Sequence, residues 1–589
     1  MLRCPDSYSR ITPIGSPARF ARAATLILFC SRKTHRFSGM GVSSVARRVA
    51  CCVLRIAYCV QRIAYCVSRQ CRALRFARFA LRTTDYAVRT THYALRNTDY
   101  ALRHTFSEPG GIMTKPNIII CMCDQLRAFE VGCYGNPVIR TPVLDRLAAE
   151  GARWETAVTT FPVCMAARSV TLSGQYNRWC TGGVGNVATP QGEGRTYFPQ
   201  YPHHGRPHLK DPTLPEIVRV LGYHTAAIGK WHIHTWPHDL GFDYYLIPRM
   251  NHCHTGQSFS ENGGPEFTPD GYSVDFECER VERFLRERAA ADRPFLLFYN
   301  ISPPHCPMSD APEKYTRMYR PEEMPIRPNV DLNRRLPDQD HWFKVYRWDF
   351  RYYNFHLPYT EELPEDFTLR RVIAEYYGMT TWVDDAVGRM LAALDANGLA
   401  HDTIVLFTSD HGDYLGSHNR VQKGDLHEES VRIPLIVRWP AGLRPAVVQG
   451  QVAGLVDLAP TLLDLCGIRP PEHMHGRSLA PALRGIDGDA AGVRQSAARF
   501  DPTGAGLPAD AAIIETGNGV GIRTPRRLYG LPFIPGTHRL ADAPHYFFDL
   551  AQDPYQVRNL AGSGGQALAA QELDACLRQW DACTPWMSG

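Results

Sequence analysis

The chain has 589 residues, enough for several domains, and 65 basic against 59 acidic side chains give it a formal net charge of +6. The first 112 residues hold 19 of the basic and 4 of the acidic side chains, so the remaining body carries −9 and gives no reason to expect nucleic acid as a partner. No apolar run approaches the about 20 residues that a membrane span needs. The 11 cysteines of the body are too scattered for a disulfide framework, and we expect a cytoplasmic protein.

Residues 1–112 have the pattern of a basic, repetitive leader and not of a folded domain. We expect this leader to be disordered or to result from a wrongly assigned start codon. The hexapeptide RIAYCV stands at 55–60 and again at 62–67, and related seven-residue units follow from 82 to 102. The period is that of a coiled coil, but the later units put Tyr, Ala and Leu side by side instead of at the a and d positions. We interpret this leader as translated non-coding repeat before a true start at Met113. A basic organelle or export leader is the alternative.

Three stretches of the body have apolar residues at helical spacing, namely 142–150, 214–221 and 370–396. For the first of them, Thr141 is the expected N-cap and Gly151 the residue that closes the helix.

Four apolar runs with the length of buried strands lead to polar or ionisable side chains. They are 116–123 before Asp124 and Gln125, 224–230 ending at Lys230 with His232 beyond it, 295–301 before a loop that holds His305, and 403–409 before Asp410 and His411. In an open α/β sheet, ligands bind at the carboxyl ends of the strands, so these groups can converge although they are distant in sequence. The sequence therefore predicts one site at this edge of a sheet.

The stretch TTFPVCMAARSVTLSGQY at 159–176 brings a cysteine to the same predicted site. Cys164 and Arg168 are four residues apart, so they share one face if a helix starts at the cysteine. The sulfur then lies at a helix N-terminus, where backbone N–H groups favour an anion. A buried structural thiol is the alternative reading of Cys164. A thiol phosphatase loop is excluded, because it needs five residues between cysteine and arginine.

The run CMAAR at 164–168 resembles the sulfatase signature Cys-x-Pro/Ala-x-Arg, in which a maturation enzyme oxidises the cysteine to formylglycine. Between 117 and 485 the motifs GKWH, PPHCP and GDYLGSHNRVQKGDLHEES follow in the order of type I sulfatases of the alkaline phosphatase superfamily. The resemblance implies a large mixed, mostly parallel sheet sandwiched by helices, in a catalytic domain at 113–490. It also implies a smaller C-terminal α+β subdomain with an antiparallel sheet at 491–589.

The resemblance also implies roles for individual residues in the hydrolysis of a sulfate ester. The metal ligands are Asp124, Gln125, Asp410 and His411 together with position 164, and Ca²⁺ is favoured over Mn²⁺ or Mg²⁺ by resemblance only. The catalytic residues are Cys164, Arg168, Lys230, His232 as the base, and His305 or Lys423 as the donor of a proton to the leaving alcohol. Lys230, His305 and Lys423 are the expected sulfate-binding groups, with His418 as a further contact or a supporting residue.

Two departures from the usual motifs keep other functions open. Ala166 replaces the commoner proline, which the signature tolerates, and Gln125 removes one negative charge from the metal site. The combination of Asp-Gln with Asp-His is also typical of phosphonate monoester and phosphodiester hydrolases of the same superfamily. A homologue that binds anions or metal without catalysis is the alternative of another class.

The alcohol part of the substrate is harder to infer from the sequence than the ester group. Residues 201–210 and 251–258 are rich in histidine, but their spacing fits no standard metal ligand set. Residues 342–359 are dense in aromatic side chains and suit either a lid over a sugar or aryl group or an oligomer contact. We expect a small-molecule or saccharide sulfate ester as substrate and a formylglycine-generating enzyme as partner, and a homo-oligomer stays open.

Overall fold

The computed structural model describes residues 115–186, 189–191, 195–197, 201–203, 205–249, 252–308, 310–331, 368–484, 507–508, 510–564 and 566–587. The leader, the proposed start at Met113, the aromatic stretch 342–359 and the expected boundary at 490 lie outside these residues.

The described part alternates strands and helices. The strands are β1 (Asn117–Cys123), β2 (Ala152–Val158), β3 (Thr189–Gln191), β4 (Arg195–Tyr197), β5 (His224–Gly229), β6 (Tyr244–Pro248), β7 (Phe259–Glu261), β8 (Phe295–Ile301), β9 (Thr403–Ser409), β10 (Arg432–Ile433), β11 (Leu435–Arg438), β12 (Ala446–Gly454), β13 (Ala512–Glu515), β14 (Gly519–Arg523), β15 (Arg527–Pro532) and β16 (Tyr546–Asp549). The helices are α1 (Pro142–Glu150), α2 (Cys164–Ser173), α3 (Asn177–Cys180), α4 (Leu214–Val220), α5 (Ser273–Ala289), α6 (Glu313–Thr316), α7 (Leu369–Ala396), α8 (Glu428–Val431), α9 (Leu458–Leu465), α10 (Ala480–Arg484) and α11 (Ala567–Cys583).

A mixed sheet of 10 strands forms the centre of the described body. Its order is β10-β2-β11-β9-β1-β8-β5-β6-β7, with β12 beside β2. The central strands β9, β1, β8, β5 and β6 are parallel to one another, whereas β11, β10 and β7 pair antiparallel. The predicted mixed, mostly parallel sheet is therefore confirmed.

Strand β1 shows why the apolar runs become buried strands. Ile119, Cys121 and Cys123 share one core cluster with side chains of α1, α5 and α7, so those helices cover this face. The alternating residues Ile118 and Ile120 are also fully buried, so the second face is covered as well. Both neighbours, β8 and β9, bond to β1 along its length, which fixes where the three strands end.

The N-terminus of α1 differs from the sequence prediction in its cap. Thr141 precedes the helix as expected, but its hydroxyl accepts a hydrogen bond from the N–H of Gly132 and does not cap the helix. The buried carboxylate of Asp384, in α7, accepts the N–H groups of Val143 and Leu144 at 3.1 and 2.7 Å instead. A long-range partner thus satisfies the first turn, because α1 packs directly on α7.

A separate antiparallel sheet, in the order β13-β14-β15-β16, forms the C-terminal part, as expected. Ile514 and Phe548 of this sheet share a core cluster with Leu426, which lies before α8, and with Val431, the last residue of α8. The small sheet therefore packs beneath the loop that carries Lys423.

Candidate active site

The four strands predicted to deliver polar groups are neighbours in the sheet, in the order β9-β1-β8-β5. Their parallel direction brings all four carboxyl ends to one edge, and hydrogen bonds join the adjoining loops there. The N–H of Asp410 donates to Cys123 O at 3.2 Å, and the N–H of Lys230 donates to Asn300 O at 3.0 Å. Gly229, with φ of +90°, permits this approach, since a Cβ there would lie 2.0 Å from Asn300 O.

Cys164 is the first residue of α2 and is fully buried. Its Sγ lies 3.1 Å from Nε2 of His411 and 3.7 Å from Oδ1 of Asp124. Burial and the Asp124 carboxylate act to raise the pKa of the Cys164 thiol. Lys230, Lys423 and His411 outweigh them and hold this pKa well below its usual value. The helix N-terminus and the surrounding cations therefore make position 164 a site for an anionic nucleophile.

Arg168 lies one turn further along α2 and joins the ends of three strands. Its Nε and Nη2 bind Oδ2 of Asp410 at 3.2 and 3.0 Å, and Nη2 also binds Oδ2 of Asp124 at 3.1 Å. Nη1 donates to Oδ1 of Asn300 at 2.5 Å. The planar guanidinium thus fixes both buried carboxylates in relation to the helix that carries Cys164.

Asp124, Cys164, Asp410 and His411 offer one ligand atom each, and these atoms lie within 4.8 Å of one another. His411 donates from Nδ1 to Gly412 O at 2.8 Å, so Nε2 faces the other three residues and would bind a metal after losing its proton. Two carboxylates and an imidazole nitrogen suit a divalent cation such as Ca²⁺, Mn²⁺ or Mg²⁺.

The protonation of the two carboxyls shows how crowded the negative charge is. Burial acts to raise the pKa of Asp124, but Lys230 and the other cations around it hold that pKa well below its usual value. Burial and the charge of Asp124 raise the pKa of Asp410 to about 7. A bound cation would relieve this repulsion, so the residues present fit one.

Gln125 follows Asp124 but faces a different set of groups. Its Oε1 accepts a hydrogen bond from Nζ of Lys423 at 2.8 Å, and its Nε2 donates to Asp413. Lys423 also lies 3.0 Å from Nε2 of His305, whose Nδ1 donates to a backbone carbonyl. Gln125 therefore links the metal-ligand group to the predicted proton donors.

Lys230 and His232, both buried, enter from the end of β5. Nζ of Lys230 donates to Oδ2 of Asp124 and lies 3.1 Å from Nδ1 of His252. Burial lowers the pKa of His232, although its interaction with Cys164 acts in the opposite direction. A neutral imidazole in this position can accept a proton near residue 164.

Known proteins that are similar to this chain identify its family. The family profile described as Sulfatase matches residues 116–468. The chain belongs to the sulfatase family. An ulvan-active sulfatase of Formosa agariphila is 30% identical over 480 residues, which cover 79% of this chain and 81% of that protein.

Solved structures share the fold of this sulfatase. One is a complex with its substrate D-glucosamine-2-N,6-O-disulfate, with a TM-score of 0.61 at 23% identity. The aligned region covers 79% of this chain and 98% of that chain. Another, the phosphonate monoester hydrolase of Agrobacterium radiobacter, has a TM-score of 0.55 at 22% identity and covers 79% and 95%. These likenesses confirm the alkaline-phosphatase-like architecture.

One predicted site residue of the sulfatase has its contacts elsewhere. Nε2 of His418 lies 3.1 Å from Nδ2 of Asn329 and 3.4 Å from Oε2 of Glu429. The centroid of its ring lies 4.0 Å from that of His427. Its φ is +54°, so the loop turns sharply at this residue. These contacts suit a supporting role in the loop that carries Lys423, and a direct substrate contact stays a prediction.

Two site residues of this sulfatase were missed by the sequence analysis. Asn300 lies inside the apolar strand β8 and binds Arg168. A lone amide in an otherwise apolar strand was the available signal. His252 lies in one of the two histidine-rich stretches, and its ring stacks on that of His305. Among the described residues, neither stretch adds a second group with metal-ligand geometry.

The helices described for this sulfatase include none that combines the length and the apolar character required to cross a membrane.

Proposed function

We propose that this sulfatase hydrolyses a sulfate ester of a saccharide, with a formylglycine made from Cys164 and one divalent cation, for which Ca²⁺ is our first choice. The observation that carries the proposal is the position of Cys164, at the N-terminus of α2 with its sulfur against the group formed by Asp124, Asp410 and His411. The ulvan-active relative and the complex with a glucosamine disulfate support a saccharide as the alcohol part.

A formylglycine and a divalent cation would supply chemistry that a thiol cannot. The aldehyde at position 164, as its hydrate, would provide one hydroxyl to attack sulfur and a second through which sulfate is released. The cation, held by Asp124, Asp410 and His411, would withdraw charge from the ester oxygens. Gln125 stays a predicted ligand, since its oxygen accepts from Lys423 here.

The side chains around residue 164 have separate tasks in this proposal. Arg168 holds the two carboxylates, and Lys230 and Lys423 bind the sulfate oxygens. His232, whose pKa is lowered by burial, is neutral and serves as the base. His305 accepts a hydrogen bond from Lys423 and spends its own N–H on a backbone carbonyl, so we assign the proton for the leaving alcohol to Lys423.

The formylglycine also requires a maturation enzyme as partner. Cys164, Ala166 and Arg168 are fully buried in the folded chain, so that enzyme could not reach them there. We therefore propose that it acts on this segment before folding is complete. We further propose the cytoplasm as location, because all 11 cysteines of the body are free.

A second candidate function, hydrolysis of phosphonate monoesters or phosphodiesters, is favoured by Gln125. The neutral amide leaves the site less negative than a second aspartate would. Hydrolysis of a panel of sulfated saccharides, 4-nitrophenyl sulfate, a phosphonate monoester and a phosphodiester separates the two. We expect the sulfate esters to be cleaved fastest, and not at all by Cys164→Ala. Faster turnover of the phosphonate or phosphodiester would favour the second function, and no turnover would indicate a silent homologue.

A further inference from the structure

His252, in the loop after β6, lies inside the active site without a role in the reaction described above. Its ring is stacked on that of His305, with a centroid separation of 3.7 Å and an interplanar angle of 11°. Its Nδ1 lies 3.1 Å from Nζ of Lys230. We infer that His252 is a positioning residue that holds Lys230 and His305 in the orientations that sulfate ester hydrolysis needs. This inference rests on the proposed function.

The contacts define where the protons of the two rings lie. A lysine ammonium can only donate, so Nδ1 of His252 is the acceptor and the proton of this ring is on Nε2. His305 has the opposite tautomer, because Nδ1 donates to Cys306 O at 2.6 Å and Nε2 accepts from Lys423. Burial, followed by the charge of the neighbouring groups, lowers the pKa of both imidazoles. Two neutral rings can stack, whereas two cationic rings would repel.

The stack connects the two lysines of the site. On one side His252 holds Lys230, which also donates to Asp124. On the other side His305 receives the hydrogen bond of Lys423. Without the acceptor on His252, the carboxylate of Asp124 is the one hydrogen-bond partner that the described residues leave to Nζ of Lys230, so the ammonium moves toward Asp124 and away from the sulfate. Without the ring of His252, one face of the His305 ring loses its packing partner, and the acceptor of the Lys423 hydrogen bond is held less firmly.

Two substitutions separate these contributions. His252→Asn keeps an acceptor near the position of Nδ1 but removes the ring. His252→Phe keeps a flat ring but removes the acceptor. His538→Asn is the matched control, because His538 is exposed and stacks on Trp586 with the same centroid separation of 3.7 Å, at 13°. All variants are compared for thermal unfolding, so that a loss of fold is recognised.

The first measurement is the turnover of a series of aryl sulfates whose phenols differ in acidity. For His252→Asn we expect kcat to fall about tenfold or more for phenyl sulfate and much less for 4-nitrophenyl sulfate, because a misplaced proton donor matters most for a poor leaving group. The double variant with His305→Ala should show the same leaving-group dependence as His305→Ala alone, since His252 acts through that ring.

The second measurement is the affinity for inorganic sulfate, by calorimetry, which needs no turnover. For His252→Phe we expect this affinity to fall about tenfold or more, since a hydrogen bond to a charged group is lost. Wild-type affinity in His252→Phe, together with an unchanged leaving-group dependence in His252→Asn, would overturn the inference. The inference would also be overturned if kcat fell in both variants by a factor that is the same for all substrates. A wild-type protein that binds sulfate but cleaves no sulfate ester would count against the proposed function instead.

Discussion

Replacing Arg168 by lysine tests whether the guanidinium organises the two buried carboxylates of the site. Arg168 reaches Asp410 at 3.0 Å, Asp124 at 3.1 Å and Asn300 at 2.5 Å, and it is fully buried. A single ammonium keeps the charge but cannot reach all three partners. Loss of one charge-assisted hydrogen bond costs about 1.5–3 kcal/mol, and loss of the bond to the neutral amide costs roughly 1 kcal/mol. We expect Arg168→Lys to lower the free energy of unfolding by about 3 kcal/mol.

The assay is urea unfolding followed by tryptophan fluorescence, in the presence of a chelator so that no cation contributes. The midpoint should fall for Arg168→Lys while the slope stays the same. Arg283→Lys is the control, because Arg283 pairs with Glu287 on the surface, where the side chains are 60% and 51% exposed. That pair is worth no more than about 0.5 kcal/mol. If the two substitutions shift the midpoint equally, the guanidinium does not organise the carboxylates.

Three further predictions concern the proton donor, a buried carboxyl and the metal. Lys423→Met should lower kcat about 10²–10⁴-fold for a saccharide sulfate but far less for 4-nitrophenyl sulfate, as steady-state kinetics will show. Burial raises the pKa of Asp384 from 3.8 to about 7, so its ionisation destabilises the fold increasingly as the pH rises through that window. Asp384→Asn should therefore gain stability relative to wild type between pH 4 and 7, by at most about 4 kcal/mol in urea unfolding, and a difference that does not change with pH would contradict this. Ca²⁺ at 100 times its Kd should stabilise the wild type by about 2.7 kcal/mol over the chelated protein, and Asp410→Asn should lose this response.

The sequence was most informative where strands end. The runs before Asp124, Lys230 and Asp410 are apolar on both faces, which is the signature of a strand inside a parallel sheet. Because such strands end at one edge, the convergence of their last residues followed from the pattern. The spacing of Cys164 and Arg168 places both on one face only if a helix starts at the cysteine, and the structure has that helix, α2.

What the sequence could not provide are partners that are distant in the chain and lie in loops without a period. His252 reaches His305 from a loop after an edge region of the sheet, and no spacing rule connects the two. Asp384 replaces Thr141 as the cap of α1 because two helices pack together, 240 residues apart in sequence. Local signals identified the four strands that end at the site and the helices α1, α4 and α7, but they did not identify these tertiary hydrogen bonds.

The mass of the tryptic peptide at 154–168, from protein with measured sulfate ester hydrolysis, tests the central claim most directly. This peptide contains Cys164 and ends at Arg168. The account predicts the aldehyde or its hydrate at position 164 in the active protein. An active protein whose peptide carries only the thiol would contradict it.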